Sequence, residues 1–489
     1  LQLPEMITEI PDIKISGGTG LNITGLTSDS REVRAGYLFA AFPGLKQDGR
    51  KFIADAARQG AAAILVPEGT DTGDISCVII TAKNPRSAFA KMAAAFYGKQ
   101  MDVIAAVTGT NGKSSTVNFC RQIWQLMEHA SASLGTLGVI APGINRPGIH
   151  TTPDPVTLYS EIAELEAAGV TRLAIEASSQ GLDQYRLDGL RVTAAAFTNL
   201  TRDHLDYHGT MEKYFEAKMR LFREVLIDKG VAVINADSDH AEAVRKVCAE
   251  RKLRVIDYGE RAKDIKLETR KPLQSGQFVG VSILGERYEF ELPLVGDFQA
   301  SNALCALGLV IAEDPDNRLL HMQCVHALER LQSVRGRLEF AATLPNGAAV
   351  YVDFAHSPDG LETMLKAMRP HAHKKLHVVF GCGGDRDRGK RPMMGEIATR
   401  LADRVIVTDD NPRTEDPTFV RSEIMKGAPA ALEVAGRAAA IRLAVRALGP
   451  NDVLVVAGKG HEQGQIVGKE VLPFDDVTEV KAAVAEVAG

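Results

Sequence analysis

The stretch VIAAVTGTNGKS, residues 103–114, decides the fold of this chain. Its first five residues are apolar without interruption, and their β-branched content suits a strand buried on both faces. Thr108-Gly-Thr-Asn-Gly-Lys-Ser114 follows as a glycine loop, and a helical pattern runs from 115 to 129. Strand, glycine loop and helix in that order bring backbone N–H groups and the positive end of a helix to a phosphate. Lys113 can neutralise β- and γ-phosphates, and the Ser114 hydroxyl can ligate Mg²⁺. Gly109, Thr110, Asn111, Gly112, Lys113, Ser114 and Ser115 are therefore the candidate nucleotide cradle. The spacing departs from the usual G-x-x-x-x-G-K-S/T, because residue 107 is Val107 rather than glycine.

Downstream of this unit, buried strands read at 172–176, 194–198 and 231–235, each separated by helical pattern. Such alternation predicts a mostly parallel, doubly wound sheet. Upstream, the apolar runs 37–42, 62–66 and 77–80 and an alanine-rich helix over 87–97 make a small α/β unit of about 98 residues, ending at a composition break over 97–100. From 260 to 293 the pattern alternates and is broken by Gly276 and Gly285, which predicts an antiparallel annex. After Arg337 a second α/β series reads at 349–354, 376–381, 404–408 and 453–457. Each of its strands ends beside a polar or glycine-rich loop, the edge where open α/β sheets bind ligands.

At 489 residues, with 45% hydrophobic and 24% charged side chains, the chain is an ordinary globular composition of two to four domains. A net charge of -5 gives no reason to expect nucleic acid or an anionic membrane as partner. No apolar run reaches the ~18 residues that span a bilayer, and LQLPEMITEI lacks the basic-then-apolar pattern of an export signal. The six cysteines, Cys77, Cys120, Cys248, Cys305, Cys324 and Cys382, form no CxxC pair, so they read as small core residues in a reducing compartment. A cytoplasmic location is expected.

Three further motifs carry chemistry. Ile175-Glu-Ala-Ser-Ser179 and Asn199-Leu-Thr-Arg-Asp-His-Leu-Asp-Tyr-His208 each follow a strand, so Glu176 and His204 can converge on a metal at the sheet edge. His204 and His208 at i, i+4 are not a zinc-protease pair, because Leu205 stands where HExxH needs its glutamate. Taken singly, each histidine is a solvent-exposed or core-satisfied one. Tyr214-Phe-Glu-Ala-Lys-Met-Arg-Leu-Phe222 is an amphipathic helix in which Lys218 shares a face with Tyr214 and Leu221; periodicity alone makes Lys218 a surface lysine.

Together with GDFQASNALCAL, GRLE, DFAHSPDG and DDNPRTEDP, these motifs stand in the order found in the Mur ligase family, which the chain resembles along its whole length. The resemblance implies three domains: a UDP-binding α/β domain over 1–98, a central P-loop-type ATPase domain over 99–332, and a Rossmann-like domain over 333–489 for the incoming amino acid. It implies that ATP phosphorylates the D-glutamate carboxylate of a UDP-N-acetylmuramoyl dipeptide, and that an amino group then attacks the acyl phosphate. In Thr27-Ser-Asp-Ser-Arg31, Ser28 and Ser30 match contacts at the uracil end. Thr151, Thr152, Ser178, Gln184 and Arg186 match positions that hold the muramoyl peptide and pyrophosphate. Gln180 departs from the His or small residue expected after the serine pair. Asn302, Arg337, Asp353 and His356 match ATP positions, with the ATP site completed by domain closure.

The resemblance also assigns two Mg²⁺ sites, with Ser114 at the first and Glu176 and His204 at the second, and makes Lys218 an N6-carboxylysine. Lys113, Glu176, His204 and Lys218 thus become the catalytic set. Around Asp409-Asp-Asn-Pro-Arg413, the residues Arg386, Asp410, Asn411, Arg413, Gly458 and Glu462 match the pocket of members that add meso-diaminopimelate, whose distal carboxylate suits a bidentate arginine. Lysine-adding members lack that arginine. A folylpolyglutamate synthase would share the ATP core but not TSDSR and HTTPDP, and a non-enzymatic nucleotide-binding regulator would not need Glu176, His204 and Lys218. A monomer is expected.

Overall fold

The computed structural model describes every residue of the chain except Glu9, Leu45, Lys46, Gln274 and Gly489. The chain divides into two compact units, Leu1–Tyr258 with Cys305–Leu320, and Gly259–Leu304 with His321–Gly489.

The first unit opens with a five-stranded sheet. Gly25–Thr27, Tyr37–Ala40, Ala63–Pro67 and Val78–Ala82 pair in parallel, and Ile13–Ser16 closes the edge antiparallel to Val78–Ala82. The helix Pro85–Tyr97, started by Asn84 accepting from the Ser87 N–H, packs against the helices Leu3–Ile7 and Pro155–Ala167. Its buried Phe89, Met92 and Ala93 join one core with the sheet that follows.

In that central sheet Val103–Thr108 lies between Arg172–Glu176 and Val192–Phe197, parallel to both. Leu226–Asn235 and Arg254–Gly259 extend it on one side, and Ser131–Gly135 on the other. The short Gly138–Ala141 and Ile144–Arg146 then add antiparallel. The chain leaves Val103–Thr108 first toward one side and later returns to the other, so this strand is the topological switch point, where open α/β sheets bind ligands. The doubly wound sheet expected from the apolar runs is present. Ser131–Gly135, with the sequence SASLG, carries no apolar run and was not anticipated. The helix containing Lys218 spans Met211–Arg220 and passes into a π-helical turn, Leu221–Val225.

In the second unit Ile265–Leu273, Gly276–Ile283 and Glu286–Leu292 form the antiparallel meander that the alternating pattern predicted. A second sheet runs Glu339–Thr343, Ala349–Asp353, Val453–Ala457, Leu376–Phe380, Arg404–Val407, Leu432–Glu433, parallel except for its first pair. Period-2 alternation sends Tyr351, Val378 and Val455 into one core with the helices Pro358–Met368, Lys390–Leu401 and Pro417–Met425. Val352, Val379 and Val456 enter the other, against Arg437–Arg446 and Asp476–Ala488. Those last two helices are joined by a fully buried ion pair. Arg437 Nε and Nη2 donate to the two carboxylate oxygens of Asp476, each at 2.7 Å, and Nη2 also reaches the Ala457 carbonyl.

Asp476→Ala would leave that guanidinium buried without its anion, a change that costs about 3–5 kcal/mol. Chemical denaturation of the whole chain should show this loss in the transition of the second unit. A loss below about 1 kcal/mol would mean that the pair is dispensable.

Candidate active site

Parallel pairing places three strand ends side by side: Glu176 is in register with Val107, and Phe197 with Thr108. The loops that follow these ends therefore meet. Gly109 has φ +148°, and a β-carbon there would overlap Thr198 Oγ1, so only glycine allows the approach. Thr198 Oγ1 donates to the Asn111 carbonyl at 2.6 Å. Asn199 accepts from the Asn111 N–H through its side chain and from the Thr110 N–H through its carbonyl, both at 2.9 Å. Gly112, at φ 89°, then starts the helix Lys113–Leu126, in which Ser114 and Ser115 are buried.

Two lysines converge on this loop. Lys113 Nζ donates to the carbonyls of Gly109 and Thr110, both at 2.9 Å. Lys218 Nζ donates to the same Gly109 carbonyl at 2.8 Å and lies 4.3 Å from the centroid of the Tyr214 ring. Lys218 is 1% exposed, which overturns its reading as a surface lysine. No carboxylate among the described residues pairs with it. Burial, and then the charge of Lys113, holds its amine well below the usual lysine range. Tyr214 fixes the geometry further, its hydroxyl 3.2 Å from Thr110 Oγ1.

Glu176, 1% exposed, is clasped by a residue that sequence reasoning missed. Thr136 donates its N–H to Oε1 at 2.8 Å and its hydroxyl to Oε2 at 3.2 Å. Thr136 Oγ1 is also 3.0 Å from Thr151 Oγ1. The Thr152 hydroxyl donates to the Glu176 carbonyl and accepts from the Ser178 N–H. Ser178 caps the turn Ser179–Asp183 by accepting from Gly181. Arg186 donates to the Thr152 carbonyl and to Gln184, and Gln184 in turn donates to the Tyr207 hydroxyl. The expected muramoyl-binding residues thus form one connected network around Glu176. His204 stands apart from it: exposed, left-handed at φ 51°, its ring 6.1 Å from that of Tyr214. His208 is buried against the Ser179 hydroxyl at 3.0 Å. Among the described residues no three His, Cys, Asp or Glu side chains gather as a metal-ligand set. Ser28 and Ser30 lie after the strand Gly25–Thr27, in a turn where the Thr27 hydroxyl accepts from the Asp29 N–H, and hydrogen bonds from Arg31 lower the Asp29 carboxyl to about 2.

In the second unit two of the expected nucleotide residues, Arg337 and His356, pack on Phe354. The Arg337 guanidinium lies 5.0 Å from its ring centroid, and the rings of His356 and His461 lie at 4.6 and 4.8 Å. Burial, reinforced by Arg337, lowers His461 to about 4 and keeps it neutral at physiological pH. Asp353 accepts from the Leu338 and Ala355 N–H groups, both at 2.8 Å, and Gln299 links Asn302 to the Arg337 carbonyl.

Around the 409–413 loop, Asn411 donates to Glu462 Oε2 at 2.9 Å. Lys459, fully buried, donates to Asn411 Oδ1 at 3.0 Å and to Glu462 Oε2 at 3.1 Å. Arg413, at φ 52°, donates to the Gly384 carbonyl at 2.8 Å. Gly458, at φ 116°, lets the chain pass close to Asp410 Oδ2. Arg386 projects exposed from the loop that Gly384 ties to the Asn411 carbonyl. Lys459 and Phe354 were not singled out from sequence, although Phe354 sits inside DFAHSPDG and Lys459 lies between Gly458 and Glu462, which were.

A parallel sheet whose switch-point strand carries a lysine-bearing glycine loop, beside a clasped carboxylate and a buried lysine, defines an ATP-dependent, amide-bond-forming ligase, and the chain belongs to the Mur ligase family. The models described as Mur ligase family, catalytic domain; Mur ligase middle domain; and Mur ligase, glutamate ligase domain match residues 22–107, 107–310 and 336–460. A Zymomonas mobilis relative is 51% identical over 94% of this chain and 95% of its own, and one from Caulobacter vibrioides is 50% identical over the same shares. Both are named UDP-N-acetylmuramoyl-L-alanyl-D-glutamate–2,6-diaminopimelate ligase. A solved structure of a protein of that name, 32% identical, covers 100% of this chain and 99% of its own with a TM-score of 0.76.

A β-carbon at Gly135 would overlap the Glu176 carboxylate. Gly135→Ala should therefore push Glu176 out of its clasp and reduce ligase turnover by roughly tenfold or more, since small misplacements in such sites are costly. Far-ultraviolet circular dichroism should stay unchanged. Turnover within twofold of the parent would show that the position of this carboxylate is unimportant.

Proposed function

We propose that this chain joins meso-2,6-diaminopimelate to the D-glutamate of UDP-N-acetylmuramoyl-L-alanyl-D-glutamate with hydrolysis of ATP, as a cytoplasmic monomer of peptidoglycan precursor synthesis. The observation that carries this reading is the pairing of unlike charges at the 409–413 loop. Diaminopimelate differs from lysine by a second amino-acid head, a carboxylate beside an ammonium. Arg413 offers a guanidinium fork to the first, and Glu462 and Asp410 offer carboxylates to the second. Arg386, Asn411 and Gly458 complete the pocket we assign.

In the reaction, a D-glutamate carboxylate oxygen attacks the γ-phosphorus of ATP, and the bond to ADP breaks. The amine of diaminopimelate then attacks the acyl carbon, and phosphate leaves with the electron pair of the broken C–O bond as the amine loses a proton. Lys113 and the N–H groups of 109–115 hold the β- and γ-phosphates. Asn302, Arg337, Asp353 and His356 take the rest of the nucleotide. Ser28 and Ser30 contact the uracil, and Thr151, Thr152, Ser178, Gln184 and Arg186 fix the muramoyl peptide. We assign residues 1–98 to the uridine nucleotide, 99–332 to ATP and 333–489 to the amino acid.

Ser114, Glu176, His204 and Lys218 suit Mg²⁺ if Lys218 is a carbamate, because the donors are then mainly hard oxygens. Bound there as two ions, Mg²⁺ would screen the like charges of ATP and the glutamate carboxylate. The chain itself favours the modification: a buried amine with a depressed pKa, ion-paired to no carboxylate among the described residues, adds CO₂ with loss of a proton and becomes an anion.

Phosphate release, measured with the UDP-dipeptide and either meso-diaminopimelate or lysine, tests the function. Diaminopimelate should be strongly preferred. Loss of one partner of a charge-assisted pair costs roughly 2–5 kcal/mol, so Arg413→Ala should cut kcat/KM for diaminopimelate about 30-fold or more, at 1.4 kcal/mol per tenfold. Lysine should stay a poor substrate, since truncation builds no lysine pocket. Preference for lysine in the parent, or an unchanged diaminopimelate rate in the variant, would point to a lysine-adding ligase.

For Lys218, carbon-13 bicarbonate should give a carbamate resonance that grows as pH rises, because only the neutral amine adds CO₂. Lys218→Ala should be nearly inactive and partly rescued by short carboxylates. A fully active enzyme without that resonance would refute the modification.

A further inference from the structure

The helix Pro85–Tyr97 begins against the turn that carries Arg186. Ser87 Oγ donates to Asp188 Oδ2 at 2.6 Å, and a β-carbon at Gly189 would stand 2.9 Å from Ala94 Cβ. Arg86 precedes Ser87, and Arg186 lies two residues before Asp188, so two arginines from distant parts of the sequence share one neighbourhood. Arg86 Nη2 donates to the Pro43 carbonyl at 2.6 Å, and its guanidinium lies 4.6 Å from the centroid of the Phe42 ring. Arg186 donates to the Thr152 carbonyl at 2.6 Å and to Gln184 Oε1 at 2.8 Å.

Every acceptor of the two guanidiniums is neutral. Among the described residues, no carboxylate stands within ion-pairing distance of either guanidinium; Asp183 and Asp154 act on them only from farther away. Burial lowers the pKa of both, and the charge of Arg86 adds to the effect on Arg186. Two partly desolvated cations of like sign, held by neutral groups, are a destabilising arrangement that an anion offsets.

The position of the pair names the anion. Phe42 and Pro43 follow the strand Tyr37–Ala40, which is paired with Gly25–Thr27, the strand that ends at Ser28. Arg186 is fixed to Thr152 on the other side. The two arginines thus stand between the residues assigned to the uracil and those assigned to the muramoyl peptide. In a UDP-sugar, the group between nucleoside and sugar is the diphosphate. We propose that Arg86 binds this diphosphate together with Arg186, making it a substrate-binding residue contributed by the N-terminal segment. The inference rests on the UDP-substrate reading above.

Arg86→Met keeps an aliphatic stem on Phe42 and removes the charge. A charge-assisted contact of this kind is worth roughly 10- to 100-fold in affinity. In steady-state assays the KM for the UDP-dipeptide should rise by that factor, while the KM for ATP and the inhibition constant of uridine stay within twofold. Arg86→Lys should recover part of the loss. An unchanged KM for the UDP-dipeptide, or equal losses for ATP or uridine, would overturn the inference. A parent enzyme that does not turn over the UDP-dipeptide would instead overturn the functional reading on which it rests.

Discussion

The close approach of the Gly109 backbone to Thr198 is the constraint on which the central sheet edge depends. Because strands Val103–Thr108 and Val192–Phe197 are parallel and in register, their following loops compete for the same space. Glycine at 109 resolves that competition, and Thr198 and Asn199 then hold the loop through the polar groups of 110 and 111. With the loop fixed, the Gly109 carbonyl points where Lys113 and Lys218 both reach it. Any side chain at 109 would part the two strand ends and turn that carbonyl away from both lysines.

The two units treat charge differently, and the difference follows the chemistry of what each is assigned to bind. At the places we assign to substrates in the first unit, Lys218, Arg86 and Arg186 donate only to neutral acceptors. ATP and a UDP-sugar bring negative charge, and cations already paired to carboxylates would have to lose those pairs to bind them. In the second unit several cations near the 409–413 loop are matched, Lys459 with Glu462, Arg391 with Glu415 and Glu423, Arg421 with Glu433, while Arg413 donates to the neutral Gly384 carbonyl. The side-chain hydrogen bonds of Arg391 lower Glu415 to about 2, so this framework stays ionised over the working range. A substrate with both an ammonium and a carboxylate at its far end requires such a balanced surface.

The sheets were legible because buried parallel strands leave apolar runs, and the limits of 172–176 and 453–457 read from those runs coincide with the strands observed. Ser131–Gly135 left no such trace. Its hydroxyls are satisfied locally, Ser131 by the Arg121 carbonyl and Ser133 by Asn118, so a buried strand could be built from small polar residues. Missing it hid Thr136, the residue that clasps Glu176. Periodicity misplaced Lys218 on the surface for a different reason. Helical periodicity reports which face an apolar neighbour prefers, whereas the burial of Lys218 is set by Gly109, 109 residues earlier in the chain. Motif order named the candidate site residues, but the side chains that hold one another became visible only in three dimensions.

In the reaction we propose, the γ-phosphate and the muramoyl-peptide carboxylate must meet within bonding distance, and a single helix ties the two parts of the first unit that we assign to them. From Met211–Arg220, Lys218 reaches inward to the Gly109 carbonyl of the phosphate loop. Two residues later, Arg220 reaches the opposite way, bonding the Leu182 carbonyl and Asp188 and lying 3.7 Å from the centroid of the Tyr185 ring. Those contacts fix the same turn that presents Gln184 and Arg186. Residues two apart on a helix project to different sides, so one rigid element can hold both loops at a set separation. The helix ends immediately afterwards in a π-helical turn, beyond which the chain enters the strand Leu226–Asn235. The strut is therefore anchored in the sheet as well as at both loops, and the separation of those two loops is built into the backbone.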